Sequence, residues 1–220
     1  MNIQPQPPEP RILHDVSNPA SVIREAEVPY GNLDPDALTA ATRAFLHNLN
    51  QKNVPHLLVG AMAMLQHVDG RPTRDIDLII ALEDLEKLPD FELEESNEWF
   101  ATGTIGPVRV DLLFTENPFF AEILTNHAET KLLLNTPIHC ATPRGIILLK
   151  LFALPSLYRQ GNIRRAAIYE TDILQLLTLK SQLPEDLLQE LKPHLTNTDL
   201  NALRDVLNEI ENRMSLKNRF

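Results

Sequence analysis

The chain has 220 residues, a formal net charge of −10 and a hydrophobic share of 43%, which is the composition of an ordinary globular protein. No apolar run approaches the ~20 residues that a membrane-spanning helix needs, the start MNIQPQPPEP lacks a secretory-signal pattern, and the single cysteine, Cys140, excludes an internal disulfide. We therefore expect a cytoplasmic protein with no membrane partner, and the negative charge argues against a surface that coats nucleic acid.

Three segments differ in composition along the chain. Residues 1–33 contain six of the seventeen prolines and show little periodicity, which predicts a proline-rich N-terminal arm. Residues 34–141 mix helical and strand patterns, and residues 142–220 are mainly helical in pattern. The prediction is an α/β core with a mixed sheet, followed by a helical C-terminal part.

The first element of the core segment is a predicted helix in NLDPDALTAATRAFLHNLNQ, with Asp34 as N-cap and Pro35 at the first helical position. Its apolar residues recur at helical spacing: Leu38, Ala41, Phe45, Leu46 and Leu49. PHLLVG then predicts a short buried strand that ends at Gly60, and AMAMLQHV predicts a helix directly after it.

The next elements are a predicted loop, GRPTR, and a predicted second strand, DIDLII. EWFATGTIGPVRVDLLF is typical of a hairpin with Gly103 and Gly106 near its turn. The apolar residues alternate along its return strand: Val108, Val110, Leu112 and Phe114. Strand, helix, strand and hairpin in this order indicate a mixed α/β layer.

The carboxylates of DIDLII are the strongest candidates for chemistry. Asp75 and Asp77 are two residues apart, so in a strand they point to the same face, where they repel each other unless a cation compensates them. Asp111, in VRVDLLF, adds a third carboxylate on what should be a neighbouring strand. Hard oxygen ligands suit Mg²⁺ or Mn²⁺, and three carboxylates could hold two such ions. Alternatively, the pair lies exposed beside Arg71 or Arg74, and Asp111 is an ordinary strand-end acid.

A small-residue turn precedes these carboxylates in the chain. Gly60 and Ala61 lie between the predicted strand and helix, where exposed backbone N–H groups can cradle a phosphate. The alternative is a simple strand-to-helix turn without a ligand.

The stretch VGAMAMLQHVDGRPTRDIDLII resembles the signature of the nucleotidyltransferase superfamily, in which a small-residue turn is followed by an Asp-x-Asp pair. The motif formed by Arg71, Thr73, Asp75 and Asp77 is most similar to that of AbiEii-like nucleotidyltransferases, which are found among toxins of toxin–antitoxin and phage-defence systems. TPRGIILLKLFAL, with Lys150, and ETDILQLL, with Asp172, resemble the later motifs of that family. The matches span about residues 55–180.

The resemblance implies a mechanism and a set of ligands. Asp75 and Asp77 would ligate Mg²⁺ that bridges the triphosphate of a nucleoside triphosphate, and Asp111 would complete the metal site and help deprotonate an acceptor hydroxyl. The nucleotide-binding residues would be Gly60, Ala61, Thr73, Arg74 and Lys150. The implied acceptor is a hydroxyl of RNA, such as tRNA, or of protein, and a cognate antitoxin is an implied partner.

Two departures from the family pattern support an alternative. Ala61 stands where the family has a second Gly or a Ser, and RRAAIYETD stands where relatives show a Lys-Asp pair. A catalytically weak or inactive binding or regulatory module of the same fold is therefore the second hypothesis. At single positions the alternatives are a snorkelling Lys150 and a helix N-terminal acid at Asp172.

Charge is segregated along the sequence. Eight acids and one base lie between Glu83 and Glu98, whereas residues 130–169 contain no acid. The bases of that second stretch are Lys131, Arg144, Lys150, Arg159, Arg164 and Arg165. They indicate either solvated helix faces or a positive wall that favours an anionic acceptor such as tRNA. The leucine stripes of the C-terminal helices predict core packing.

Overall fold

The computed structural model describes residues 35–69, 73–179 and 186–217. Its strands are β1 (His56–Val59), β2 (Ile76–Ile80), β3 (Glu92–Ser96), β4 (Phe100–Ile105), β5 (Val108–Phe114), β6 (Ala128–Leu133) and β7 (Thr136–Ala141). Its helices are α1 (Pro35–Gln51), α2 (Gly60–Met64), α3 (Pro118–Asn126), α4 (Pro143–Arg159), α5 (Ile163–Thr178), α6 (Leu187–Leu191) and α7 (Asn197–Lys217), with a 3₁₀ helix at Leu82–Lys87.

The seven strands form one mixed sheet in the order β3-β4-β5-β2-β1-β7-β6. β2 runs parallel to β5, and β1 runs parallel to β7, while the other neighbouring strands are antiparallel. This mixed sheet confirms the predicted α/β fold class.

Alternation along the strands gives the sheet two different faces. On one face lie Ile76, Leu78 and Ile80 of β2 together with the alternating apolar residues of β5, and α1 packs against β5 and β7. The other face carries Asp77 and Leu113, and helices α3, α4 and α5 contribute residues that face them. The carboxylates therefore lie under a helical layer, on the sheet face opposite the one that α1 covers.

Several predicted boundaries move. The helix predicted in AMAMLQHV is shorter in the structure, where α2 ends at Met64. The N–H groups of Gln66 and His67 bond to carbonyls three residues back, so the rest of the predicted helix forms turns. Gly103 lies inside β4 and only Gly106 is at the turn. A Cβ at Gly103 would lie 2.2 Å from the Glu92 carbonyl oxygen of the paired strand β3, so the close approach of the two strands needs a glycine here.

The C-terminal leucines are core residues, as their spacing predicts. Leu187, Leu191, Leu203 and Ile210 are each at most 1% exposed. The proline-rich arm and Asp34 lie outside the described residues. Within the described ranges no helix is long and apolar enough to cross a bilayer.

Candidate active site

Strand pairing brings two of the predicted carboxylates together. Asp77 on β2 and Asp111 on β5 are direct partners in the register of these parallel strands, so both side chains project from the same sheet face. Asp75 precedes β2, and its negative charge contributes to raising the pKa of both other aspartates. The expectation that Asp111 lies on a strand beside the Asp-x-Asp pair is confirmed.

The environment of these aspartates disfavours their charged forms. Burial, followed by the charge of Asp77, raises the pKa of Asp111 to about 7, and burial, followed by the charge of Asp75, raises the pKa of Asp77 to about 6. Oδ1 of Asp111 is buried and accepts no hydrogen bond among the described residues, although Nε of Arg109 lies 3.4 Å away. At Asp77 and Asp111, burial and mutual repulsion therefore outweigh the nearby cations.

A divalent cation would supply the missing compensation. Carboxylate oxygens are the ligands that Mg²⁺ and Mn²⁺ prefer, and the unsatisfied oxygen of Asp111 is available to such an ion. In their present rotamers no three Asp, Glu, His or Cys side chains of the described ranges are grouped to hold a metal. The carboxylate chemistry fits the ion, whereas the described side chains do not converge into a group of three ligands.

The side chain of Asp77 packs directly against the backbone of Gly60. Its φ of +65° is in the left-handed region, which costs a residue with a side chain about 1–2 kcal/mol. A Cβ at this position would also lie 1.9 Å from Oδ2 of Asp77. The backbone N–H of Ala61 donates a hydrogen bond to the same carboxylate. The turn is therefore built around Asp77, which a simple strand-to-helix turn would not require.

Lys150 and Asp172 form a buried ion pair beside the carboxylates. Lys150 is 6% exposed, and its Nζ lies 2.8 Å from a carboxylate oxygen of Asp172. The ammonium also lies 4.4 Å from the ring centroid of Tyr169, and its charge lowers the pKa of Asp77. The snorkelling alternative is wrong because the side chain is buried. The helix N-terminal alternative for Asp172 is wrong because α5 begins nine residues earlier, at Ile163.

Comparison with solved structures identifies the architecture. No protein-family model matches the chain, and no curated protein matches it. A crystal structure of ANT(2'')-Ia in complex with adenylyl-2''-tobramycin is similar over 77% of this chain and 98% of its own, with 15% identity and a TM-score of 0.52. An antigenic nucleotidyltransferase-like protein from Paracoccidioides brasiliensis is similar over 84% and 93%, with 20% identity and a TM-score of 0.52. The chain has a nucleotidyltransferase fold.

Arg165 belongs beside the groups of this nucleotidyltransferase-fold site, although the sequence analysis named it only among the bases of residues 130–169 and did not assign it to the site. Arg165 on α5 lies with its guanidinium carbon 5.5 Å from the Tyr169 ring centroid, and its buried Nη1 has no hydrogen-bond partner among the described residues. Its charge lowers the pKa of both Asp77 and Asp111. The i, i+4, i+7 spacing of Arg165, Tyr169 and Asp172 was the available signal, since it places all three on one helix face.

The remaining predicted nucleotide contacts lie on the loop before β2. Thr73 is half-buried and Arg74 is exposed, while Arg71 lies outside the described residues. The nucleotide-binding roles of Gly60, Ala61, Thr73 and Arg74 stay predictions.

A small cavity adjoins Asp77 between the sheet and the helical layer. Its volume is about 50 Å³, enough for a few water molecules and too little for a nucleotide. The polar lining consists of Asp77, Lys150 and Tyr169, and the rest is apolar apart from the backbone of Gly60. A nucleotide at this site must therefore extend beyond the cavity.

The acid-free stretch of residues 130–169 does not form a continuous positive wall. Four of its cations pair with carboxylates from elsewhere in the fold or from β6: Lys131 with Glu129, Arg144 with Asp186, Lys150 with Asp172 and Arg159 with Asp199. Most of the positive charge that was expected to attract a polyanionic acceptor is therefore neutralised within the fold.

Proposed function

We propose that the protein is a metal-dependent nucleotidyltransferase, which transfers a nucleotide from a nucleoside triphosphate to a hydroxyl group. The observation that carries this proposal is the in-register pair Asp77 and Asp111, with the charge of Asp75 acting on both and one carboxylate oxygen of Asp111 accepting no hydrogen bond from the part of the chain that the structure describes. Structural roles alone do not account for like charges held together under a helical layer, because such an arrangement is unfavourable without a compensating cation.

The three aspartates are assigned to the metal. Asp75, Asp77 and Asp111 would hold Mg²⁺ or Mn²⁺, which neutralises triphosphate charge and acidifies an acceptor hydroxyl when bound. In the transfer, the acceptor oxygen bonds to the α-phosphorus while the bond from that phosphorus to the bridging oxygen breaks, and pyrophosphate leaves. The carboxylate of Asp111 accepts the hydroxyl proton.

The cations beside the carboxylates are assigned to the phosphates. Phosphoryl transfer depends mainly on positioning and on charge stabilisation, and Lys150 is fixed in place by Asp172. Arg165 supplies a second cation with unused donor capacity. Gly60 and Ala61 shape the turn at Asp77, and Thr73 and Arg74 are assigned to the nucleotide from the loop before β2.

The proposal extends to the acceptor and to the biological role. The AbiEii-like resemblance supports a toxin of a toxin–antitoxin or phage-defence system, with RNA such as tRNA, or protein, as acceptor. The adenylylated tobramycin of the ANT(2'')-Ia complex supports small hydroxyl compounds as a further acceptor class. All three classes belong in one assay.

The test is transfer of α-labelled nucleotide, with each of the four triphosphates and Mg²⁺, to total RNA, total protein and aminoglycosides. We expect label on one acceptor class with wild type, and no label with Asp77→Asn or Asp111→Asn. Asp90→Asn, which changes an exposed aspartate, is the matched control and should retain transfer. Labelling that persists in both active-site variants would refute the proposal.

An inactive binding or regulatory module is the second candidate function. Two observations favour it. The Ala61 N–H already donates to Asp77, and the Lys150 ammonium already pairs with Asp172. The two functions separate when nucleotide binding and transfer are measured on the same protein, because either function allows a triphosphate to bind. A module would show a rise in melting temperature with Mg²⁺ and a triphosphate but no transfer to any acceptor.

A further inference from the structure

The last strand of the sheet, β6, offers an open edge. β6 pairs with β7 and has no other strand neighbour in the described ranges. Ala128, Thr130 and Leu132 are exposed along it, and Leu132, at 71%, is the most exposed large hydrophobic residue of those ranges. An uncovered edge strand of this kind is a template for pairing with another strand.

The backbone of the exposed residues is directed toward the open side. β6 and β7 are joined by a two-residue turn with positive φ at Leu134 (51°) and Asn135 (64°), a turn that makes Leu133 and Thr136 a hydrogen-bonded pair. At the other end, the His127 carbonyl accepts from the N–H of Thr142. Odd-numbered residues therefore bond to β7, and Ala128, Thr130 and Leu132 direct their N–H and C=O groups away from it.

The sequence of β6 is complementary to itself in the antiparallel direction. We infer that a second copy of this chain pairs with β6 about a two-fold axis at Thr130, which extends the sheet across the dimer. Thr130 then pairs with its own copy, Glu129 faces Lys131, and Leu132 lies opposite the small Ala128. The Glu129–Lys131 pairs fall at non-hydrogen-bonded positions, where cross-strand side chains approach most closely.

The charges needed for this pairing are already aligned on one face. Glu129 and Lys131 lie 3.4 Å apart within the chain, so the two-fold axis would place four alternating charges side by side. Opposite charges across strands are stabilising. The two other partner pairs bring apolar or neutral side chains together, so no residue of the paired segment meets a like charge.

The opposite edge strand of the sheet, β3, carries features that prevent strand pairing. β3 is exposed along its whole length, carries Glu92, Glu94 and Glu95, and has a register irregularity between Leu93 and Glu95. A two-fold axis at its centre would bring Glu94 against its own copy. Edge charges of one sign and bulges of this kind block strand addition. β6 has a continuous register with β7, and its two charged residues, Glu129 and Lys131, are of opposite sign, so they can pair across a two-fold axis.

The dimer interface is remote from the carboxylates. Asp77 lies on β2, and strands β1 and β7 separate β2 from β6. The inference is therefore independent of the proposed activity, and variants of β6 should leave that activity unchanged.

Sedimentation of the full chain over a range of concentrations tests the inference. Wild type should pass from 24.9 kDa to twice that mass as concentration rises. Lys131→Glu and Glu129→Lys, which each place like charges across the axis, should weaken the dimer by about tenfold or more. The double variant Glu129→Lys/Lys131→Glu should restore it, because only the exchange recreates both opposite-charge pairs.

A cross-linking experiment locates the contact. Thr130→Cys should give a covalent dimer with a short bis-maleimide, since the two-fold axis places the two thiols together, and the native Cys140 is buried. Ser96→Cys on the exposed β3 edge is the matched control and should stay monomeric. A wild type that is monomeric at every concentration, a dimer indifferent to the charge inversions, or equal cross-linking at both positions would overturn the inference.

Discussion

Replacing Gly60 with alanine tests whether the turn is built around Asp77. The added Cβ would lie 1.9 Å from Oδ2, 2.5 Å from Cγ and 2.9 Å from Cβ of Asp77. The aspartate must therefore move, and it loses its hydrogen bond from the Ala61 N–H. We expect Gly60→Ala to destabilise the fold and to abolish metal-dependent nucleotide binding.

The magnitude has two parts. A φ of +65° costs alanine about 1–2 kcal/mol, and forcing a side chain out of a packed position costs a further 1–3 kcal/mol or so. Gly106 provides the matched control, because its φ is +57° and a Cβ there would meet nothing within 4 Å. Gly106→Ala should therefore show only the first cost.

Urea unfolding of both variants measures the difference. We expect Gly60→Ala to lose about 1–3 kcal/mol more than Gly106→Ala, and only Gly60→Ala to lose the calorimetric heat of nucleotide binding. Equal losses of stability, with nucleotide binding intact in both variants, would refute the inference that Asp77 occupies the space at Gly60.

Three further predictions concern charges at the site. Because the pKa of Asp111 is raised to about 7 from an unfolded value near ~4, its contribution to stability is complete below about pH 4 and is lost as the pH rises through 7. Without divalent ions, Asp111→Asn should be up to roughly 4 kcal/mol more stable than wild type at pH ~8 and should lose that advantage near pH ~4; parallel pH profiles in urea unfolding would contradict this. Lys150→Met should cost about 3–5 kcal/mol by leaving Asp172 buried and uncompensated, and Lys150→Met/Asp172→Leu should recover most of that loss; a double variant no more stable than the single one would count against the buried pair. Arg165→Gln should weaken triphosphate binding by about tenfold in calorimetry, whereas Arg164→Gln, at the exposed neighbour, should change it little; equal effects would remove Arg165 from the site.

Local patterns were enough to predict the elements that carry the aspartates. The alternation in VRVDLLF marks a strand because the side-chain period of a strand is two, and the short apolar run in DIDLII is typical of a strand that is buried on both faces. The Gly106 turn then closes the hairpin of β4 and β5. These features depend on neighbours in the sequence, so a single chain reveals them.

Long-range partners could not be predicted in the same way. Lys150 and Asp172 are 22 residues apart on different helices, and nothing in either local pattern fixes how α4 and α5 cross. β3 was missed because all five of its residues are exposed, so no hydrophobic periodicity marks it. Arg165 was considered only as one base of a charged stretch and was not assigned to the site, because only the packing of α5 against the sheet brings it near Asp77.

Nucleotide binding without any acceptor tests the central claim most directly, since it does not depend on knowing the acceptor. Calorimetric titration of wild type and Asp77→Asn with each of the four triphosphates, in Mg²⁺ and in EDTA, separates the carboxylates from the rest of the site. The proposed metal site predicts binding of at least one triphosphate by wild type in Mg²⁺ only, and none by Asp77→Asn. Binding that is equally strong in EDTA or in the variant would contradict it.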